Sequence, residues 1–208
     1  MTDPFLIDPR RCEERSDAAS QGQRGPGVGS HGPVIAAPQA ARNDGTLRTE
    51  PLGPLAPDRL DRLLALNNAH AAELSLLDAA RLTHLLQQAF WAARVGDMDA
   101  FMLTLDQSAD YDSPNHRWFC ERYPHFVYVD RVVVAPPARG RGLARLLYAG
   151  ALRAAAAAGH AAIMAEVNSH PPNPASDALH AALGFHEVGA ASIHGGAKTV
   201  RYLMRTLP

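Results

Sequence analysis

Apolar residues change their spacing along this chain, and the changes divide it into segments. Up to about residue 52 they are sparse and aperiodic; Arg, Ser, Gln, Gly and Pro dominate, and Phe5 is the only aromatic residue. From Pro57 the spacing becomes helical, with Leu60, Leu63, Leu64 and Leu66 ahead of Asn67-Asn68. It is helical again over 74–88, where Leu77, Ala80, Leu82, Leu85 and Leu86 share one broad face. Residues 90–95 and 100–105 read as strands around Gly96-Asp97, and 111–123 as a loop opened by Ser113-Pro114-Asn115. Phe126 to Val134 is apolar on both faces apart from Asp130 and Arg131, as a strand covered on two sides should be. A helix follows from Gly142 to a stop at Gly159, with Leu143, Leu146, Leu147, Gly150 and Ala154 at three-and-four spacing. Residues 161–167, 184–188 and 199–206 read as the remaining strands.

Helices first, then antiparallel-type strands, then one strand-helix-strand crossover, then a helix and two strands: this order predicts an α+β fold, an α/β/α sandwich with helices on both faces of the sheet. Residues 1–52 bury too little apolar surface to offset their ordering entropy, so the expectation is a disordered or poorly ordered extension followed by one domain over 53–208. Within the extension, a short strand is expected at 34–37 or at 46–50. The run Arg11-Cys12-Glu13-Glu14-Arg15-Ser16-Asp17 resembles translated bacterial repeat DNA, which places the expected native start later in the chain.

Composition narrows the function classes. With 208 residues, 47% apolar and a formal charge of -1, the chain can bury one good core and has no basic excess to favour nucleic acid. Cys12 and Cys120 match no metal spacing, and the ten histidines are scattered, so neither a disulfide framework nor a metal site is expected. No apolar run approaches a membrane span, and residues 1–11 lack the apolar core of a secretory signal. A reduced, cytoplasmic protein without a membrane partner is the expectation.

The chemistry concentrates where the strand ending at Val134 empties through Ala135-Pro136-Pro137-Ala138 into Arg139-Gly140-Arg141-Gly142-Leu143-Ala144. The prolines end the strand, the glycines free the turn for positive backbone angles, and the following helix begins with unpartnered N–H groups and a partial positive charge. Such a turn holds an anion, and a diphosphate fits it. Three readings compete. Glycines can simply make a tight turn, although Arg139, Arg141 and Arg145 crowd this one and repel one another unless an anion joins them. A dinucleotide fingerprint wants a third glycine where Arg145 stands, and Pro136-Pro137 separates the strand from the glycines.

The third reading rests on a resemblance. Arg139-x-x-Gly142-x-Ala144 resembles the pyrophosphate signature of the GNAT N-acetyltransferases, and Asn173-Pro-Ala-Ser176-Asp-Ala-Leu-His180-Ala-Ala-Leu-Gly184-Phe185 resembles their second motif, with His180 at the position usually held by tyrosine. The resemblance extends from about Leu55 to the C-terminus. It implies the GNAT fold, a mixed, mostly antiparallel sheet of about six or seven strands whose strands splay beside the first motif. It also implies acetyl-CoA as acyl donor, direct transfer to a primary amine, and no covalent enzyme intermediate.

By the same resemblance the cofactor contacts are the backbone of Val132, Val133 and Val134, the turn residues Arg139, Gly140, Arg141, Gly142, Leu143 and Ala144, and Asn173, Ser176 and His180. His180 stands where the family's tyrosine protonates the departing thiolate; a helix histidine packed beside Leu179 and Leu183 is the alternative. Asn173 precedes Pro174, so a helix cap explains it equally well. A protonated amine needs a base. Asp130 and Glu166 are acids inside apolar strands, where desolvation raises a carboxyl pKa; Asp130 is favoured, because it lies on the strand that presents the acetyl group, and Glu121 is a third choice. Tyr111, Asn115, Trp118 and Phe119, in the expected loop, are the candidate acceptor contacts. A small-molecule amine is expected in preference to a protein, and a homodimer stays open. The alternative class is a CoA-binding module that senses without turnover.

Overall fold

A computed structural model describes residues 47–208. The expected strand at 34–37 and most of the expected extension lie outside the described residues. Seven strands form one sheet: β1 (Thr49–Pro51), β2 (Trp91–Val95), β3 (Ala100–Asp106), β4 (Phe126–Val134), β5 (Ala162–His170), β6 (His186–Ile193) and β7 (Lys198–Thr206). Their spatial order is β1-β2-β3-β4-β5-β7-β6, and every neighbouring pair is antiparallel except β4 with β5. The mixed, mostly antiparallel sheet of six or seven strands implied by the resemblance is therefore present.

Helices α1 (Pro57–Asn68), α2 (Ala79–Gln88) and α3 (Pro114–Cys120) cover one face, and α4 (Leu143–Ala157) and α5 (Pro174–Ala182) cover the other. The alternation of β3 shows how: Phe101 faces Leu63 and Leu82 of α1 and α2, whereas its neighbour Met102 joins Leu147, Tyr148 and Ala151 of α4. On the α4 face, Gly150 is obligatory, because an added Cβ would come within 2.7 Å of the Trp91 ring.

Three boundaries differ from the sequence reading, each for a local reason. β1 lies inside the expected extension: Thr49–Pro51 pair with Val95, Arg94 and Ala93, and Leu52 is buried, so the folded domain starts before residue 53. The helix expected over 74–88 begins only at Ala79, because the Asp78 side chain accepts the Arg81 N–H and caps it there. The expected 111–123 loop contains α3; Ser113 is its N-cap and Pro114 its first residue, a helix start that reads equally well as a turn. Phe119 is completely buried by this helix, and Trp118 stacks on Tyr202 with ring centroids 4.1 Å apart.

Candidate active site

β4 and β5 are in register only over Phe126–Tyr128 against Ala162–Met164, although β4 continues to Val134 and β5 to His170. Past those three pairs the strands part. The gap opens into a cavity of about 400 Å³ lined by Val132, Val133, Val134, Arg139, Ala144, Tyr148, Asn173, Ser176 and His180.

At its upper end stands the glycine turn. Gly140 and Gly142 have φ of 75° and 76°, a region that L side chains avoid, and Gly142 is the N-cap of α4. The first helical bond runs from the Leu146 N–H to the Gly142 carbonyl at 3.1 Å, so the N–H groups of Leu143, Ala144 and Arg145 have no helical partner. Arg139 borders the cavity, whereas Arg141 turns away to pair with Asp99 at 3.0 Å. The Leu143 side chain belongs to the core, and only its backbone faces the turn.

α5 closes the other side. Asn173 caps it, accepting the Ser176 N–H at 3.1 Å, and still borders the cavity. His180 is buried, and both of its ring nitrogens are engaged: Nδ1 lies 2.8 Å from the Ser176 carbonyl, and Nε2 lies 2.6 Å from the Tyr148 hydroxyl. A carbonyl only accepts, so Nδ1 carries the hydrogen and Nε2 accepts from Tyr148. Burial lowers the His180 pKa further, which fixes this neutral form.

A second cavity of about 220 Å³ adjoins the first on the side of α3 and the α1–α2 loop. Asp130, Arg131 and Glu166 border both cavities. Asp130 has neither oxygen free: Oδ1 accepts from the Tyr111 hydroxyl at 2.6 Å and Oδ2 from Arg131 Nε at 2.5 Å. Glu166 is different. Its Oε1 accepts from Asn115 Nδ2 at 3.1 Å, and Asn115 Oδ1 in turn accepts from the Tyr202 hydroxyl at 3.1 Å. Its Oε2 is sealed from solvent and makes no hydrogen bond of ordinary length, while the buried Tyr128 hydroxyl and Asn115 both act on the carboxyl to favour its charged form. Burial raises the Glu166 pKa to about 7, with the neighbouring Asp130 charge pushing the same way.

Residues 108–185 match the family model described as the acetyltransferase (GNAT) family. That segment carries both motifs of the sequence resemblance, and the fold around it is that of solved GNAT acetyltransferases. No curated protein sequence matches it, but solved structures do. The ribosomal-protein-S18-alanine N-acetyltransferase of Escherichia coli is 16% identical over 78% of this chain and 94% of its own, with a TM-score of 0.56. The ribosomal-protein-alanine N-acetyltransferase of Brucella melitensis is 19% identical over 78% and 99%, with a TM-score of 0.58. Arabidopsis thaliana NAA60, solved in complex with acetyl-CoA, is 15% identical over 77% and 98%, with a TM-score of 0.58.

Within this fold the expected site residues separate. Val132, Val133, Val134, Arg139, Ala144, Asn173, Ser176 and His180 line the first cavity, and Tyr111, Asn115 and Asp130 line the second. Two acceptor contacts need correction: Phe119 is core, and Trp118 lies between Tyr202 and the Arg122 guanidinium, 4.2 Å from its ring centroid, so neither borders the second cavity. Trp118 also needs Gly189 beneath it, where a Cβ would come within 2.6 Å of its ring. Glu121 caps the end of α3 and pairs with Arg122, away from both cavities. Of the two candidate bases, Asp130 has both oxygens hydrogen-bonded within 2.6 Å, whereas Glu166 accepts from Asn115 at 3.1 Å. Tyr148 was legible only as a helix-face residue; its contact with His180 comes from packing α4 against α5.

Proposed function

We propose that this GNAT domain transfers the acetyl group of acetyl-CoA to the primary amine of a small molecule, with Glu166 as the general base. The observation that supports the reading is the parting of β4 and β5 after Tyr128 and Met164, which opens one cavity bordered by the start of α4 at one end and by Glu166 at the other.

The residues of the first cavity fit the donor. The amides of Leu143, Ala144 and Arg145, with Arg139, hold the pyrophosphate, and the open backbone of Val132 to Val134 faces the pantetheine arm with Asn173 and Ser176 opposite. The bound donor supplies an acyl carbon activated as a thioester. In the second cavity the amine arrives as an ammonium ion beside Glu166. A carboxylate with pKa near 7 is ionised enough at neutral pH to take that proton and basic enough to hold it. The amine lone pair then attacks the acyl carbon, and a backbone N–H of β4 receives the charge that develops on the carbonyl oxygen; collapse of the adduct breaks the C–S bond, the amide nitrogen loses its second proton, and CoA leaves as a thiolate that takes a proton from solvent. His180 in its neutral form has no proton free for the cavity; it holds the Tyr148 hydroxyl in place and contacts the donor.

The second cavity supports the small acceptor. Lys198 Nζ donates to the Ala72 carbonyl at 2.9 Å, and Asn168 Nδ2 donates to the Glu73 carbonyl at 3.4 Å, which straps the α1–α2 loop to β5 and β7 across the mouth. A space of about 220 Å³ holds a compact amine.

Thermal shift tests the donor first, with acetyl-CoA, free CoA and NAD(P)H in parallel. A ligand at a hundred times its Kd adds about 2.7 kcal/mol, a shift of a few degrees for this size of domain. Stabilisation by the CoA compounds alone is expected, and thiol release with an amine panel then follows. A shift with none of them overturns the assignment; tight binding with no thiol release from any amine makes the domain a CoA-binding module.

A further inference from the structure

Asp130 and Arg131 are consecutive residues of β4, yet they form an ion pair with each other. On a regular strand their side chains point to opposite faces. The register explains the exception: Arg131 lies opposite Leu103 and Val129 opposite Thr104, so Asp130 is the extra residue of a β-bulge. The bulge turns both side chains to the same side. The pair is deeply buried, with side-chain exposures of 2% for Arg131 and 3% for Asp130, and is closed at 2.5 Å.

It is also held from both ends. The Tyr111 hydroxyl donates to Asp130 Oδ1 at 2.6 Å, and Arg131 Nη1 donates to Asn67 Oδ1 at 2.7 Å. Asn67, itself fully buried, donates through Nδ2 to the Ser75 carbonyl at 3.0 Å. One chain of hydrogen bonds thus runs from the segment before α3, across the bulge, into the α1–α2 loop. Stability alone is a weak reason for such a pair, since desolvation offsets most of its Coulomb attraction and a well-packed apolar pair serves as well. Its position gives a better one. Asp130 and Glu166 each lie two residues beyond the last pair in register, Tyr128 and Met164, and both acids and Arg131 border the two cavities where the strands part.

We propose that Asp130 and Arg131 are positioning residues that act on the reaction through Glu166, as a coupled pair whose two charges push the Glu166 proton in opposite directions and so balance its readiness as a base. This rests on Glu166 being the general base of the acetyl transfer. The Asp130 charge opposes ionisation of Glu166, and the guanidinium of Arg131, bordering the same cavities, acts with the opposite sign; tethering Arg131 to Asn67 and Asp130 to Tyr111 keeps that balance fixed. The phenols near Glu166, of Tyr111, Tyr128, Tyr148 and Tyr202, all have raised pKa values and stay neutral through the working range. At the rim of the second cavity, Arg81 is paired with Asp112, and Glu73, Lys198 and His194 complete the charged groups.

The test follows the Glu166 carboxyl by ¹³C NMR against pH, with its signal assigned by loss in Glu166→Gln, in the full chain and four variants. Asp130→Asn leaves Arg131 unopposed and should lower the midpoint by about one pH unit, a tenfold change in the protonation equilibrium. Arg131→Met should raise it. The double variant Asp130→Asn/Arg131→Met should return close to the parent, and Arg131→Lys should largely restore it. Should Arg131→Met not fold, the lowered midpoint of Asp130→Asn and its return in the double variant still decide the matter. Single variants that move the midpoint in the same direction, or a double variant that fails to return, overturn the proposal. Because the carboxyl is read directly, the result stands even where no amine turns over. The acid limb of kcat/KM should move with the NMR midpoint; an unmoved limb would instead remove Glu166 from the role of base.

Discussion

The two cavities of this domain meet at the same pair of strands but are built from different material. The donor cavity is bounded at one end by backbone: a glycine turn, the first amides of α4, and the free edge of β4. The acceptor cavity is mostly side chains, brought together from the α1–α2 loop, α3, β4, β5 and β7. A backbone site tolerates many sequences and binds one constant ligand, whereas a side-chain site changes its ligand with a few substitutions. That division matches an enzyme in which the donor is fixed and the acceptor varies.

Substitutions should break the two halves separately. The largest effect is expected from Gly142→Val, which forces a β-branched residue into positive φ and misdirects the α4 amides. Acetyl-CoA affinity should fall by about a hundredfold or more in calorimetry, roughly the 3 kcal/mol of strain and lost contacts, while the protein stays folded. Unchanged affinity would remove the diphosphate from the turn.

Glu166→Gln should lower kcat/KM by about 10² to 10⁴ and leave acetyl-CoA affinity untouched, the reverse pattern. In the parent, kcat/KM should fall about tenfold per pH unit below pH 7, where the base becomes protonated. Stability has a defined sign as well. The folded-state pKa is raised, so the folded protein binds the Glu166 proton more tightly than the unfolded chain, and stability falls as pH rises from about 4.5 to about 7. Glu166→Gln escapes that loss. Its melting temperature should exceed the parent's at pH 8, by an amount corresponding to a few kcal/mol, and the gap should close by pH 4.

Tyr148→Phe leaves the buried Nε2 of His180 without its donor and should cost about 1–3 kcal/mol of stability, read by denaturant titration. Its effect on acceptor KM should be small, since the pair borders the donor cavity. The smallest change belongs to Lys198→Met. It removes the strap to the Ala72 carbonyl, so it should raise the KM for amine a few-fold, within the range of about 1 kcal/mol for a single hydrogen bond. Donor affinity should not change.

The same contrast explains what could be read from the chain. The turn from Val134 to Ala144 and the capped start of α5 are runs of consecutive residues, so their chemistry is local and visible in order. Asp130 and Glu166 look alike as acids inside apolar strands. What separates them is a bulge opposite Leu103 and Thr104 and the arrival of Tyr111, none of which has a local signal. Trp118 and Phe119 misled for a similar reason. Ser113-Pro114 serves a turn or a helix start equally well, and only tertiary burial of Phe119 selects the helix.

The seam between β4 and β5 has a consequence for cooperativity. Strands β1 to β4 and strands β5, β7 and β6 are two half-sheets, joined at the backbone by three residue pairs and covered across the join by α4. So short a seam makes the C-terminal half the natural unit of partial opening, and its amides should exchange with solvent at lower free energy than those of β3. A donor that bridges both edges would add the missing seam. Slowed exchange across β5 and β7 should then report occupancy of the cleft from residues that touch no ligand.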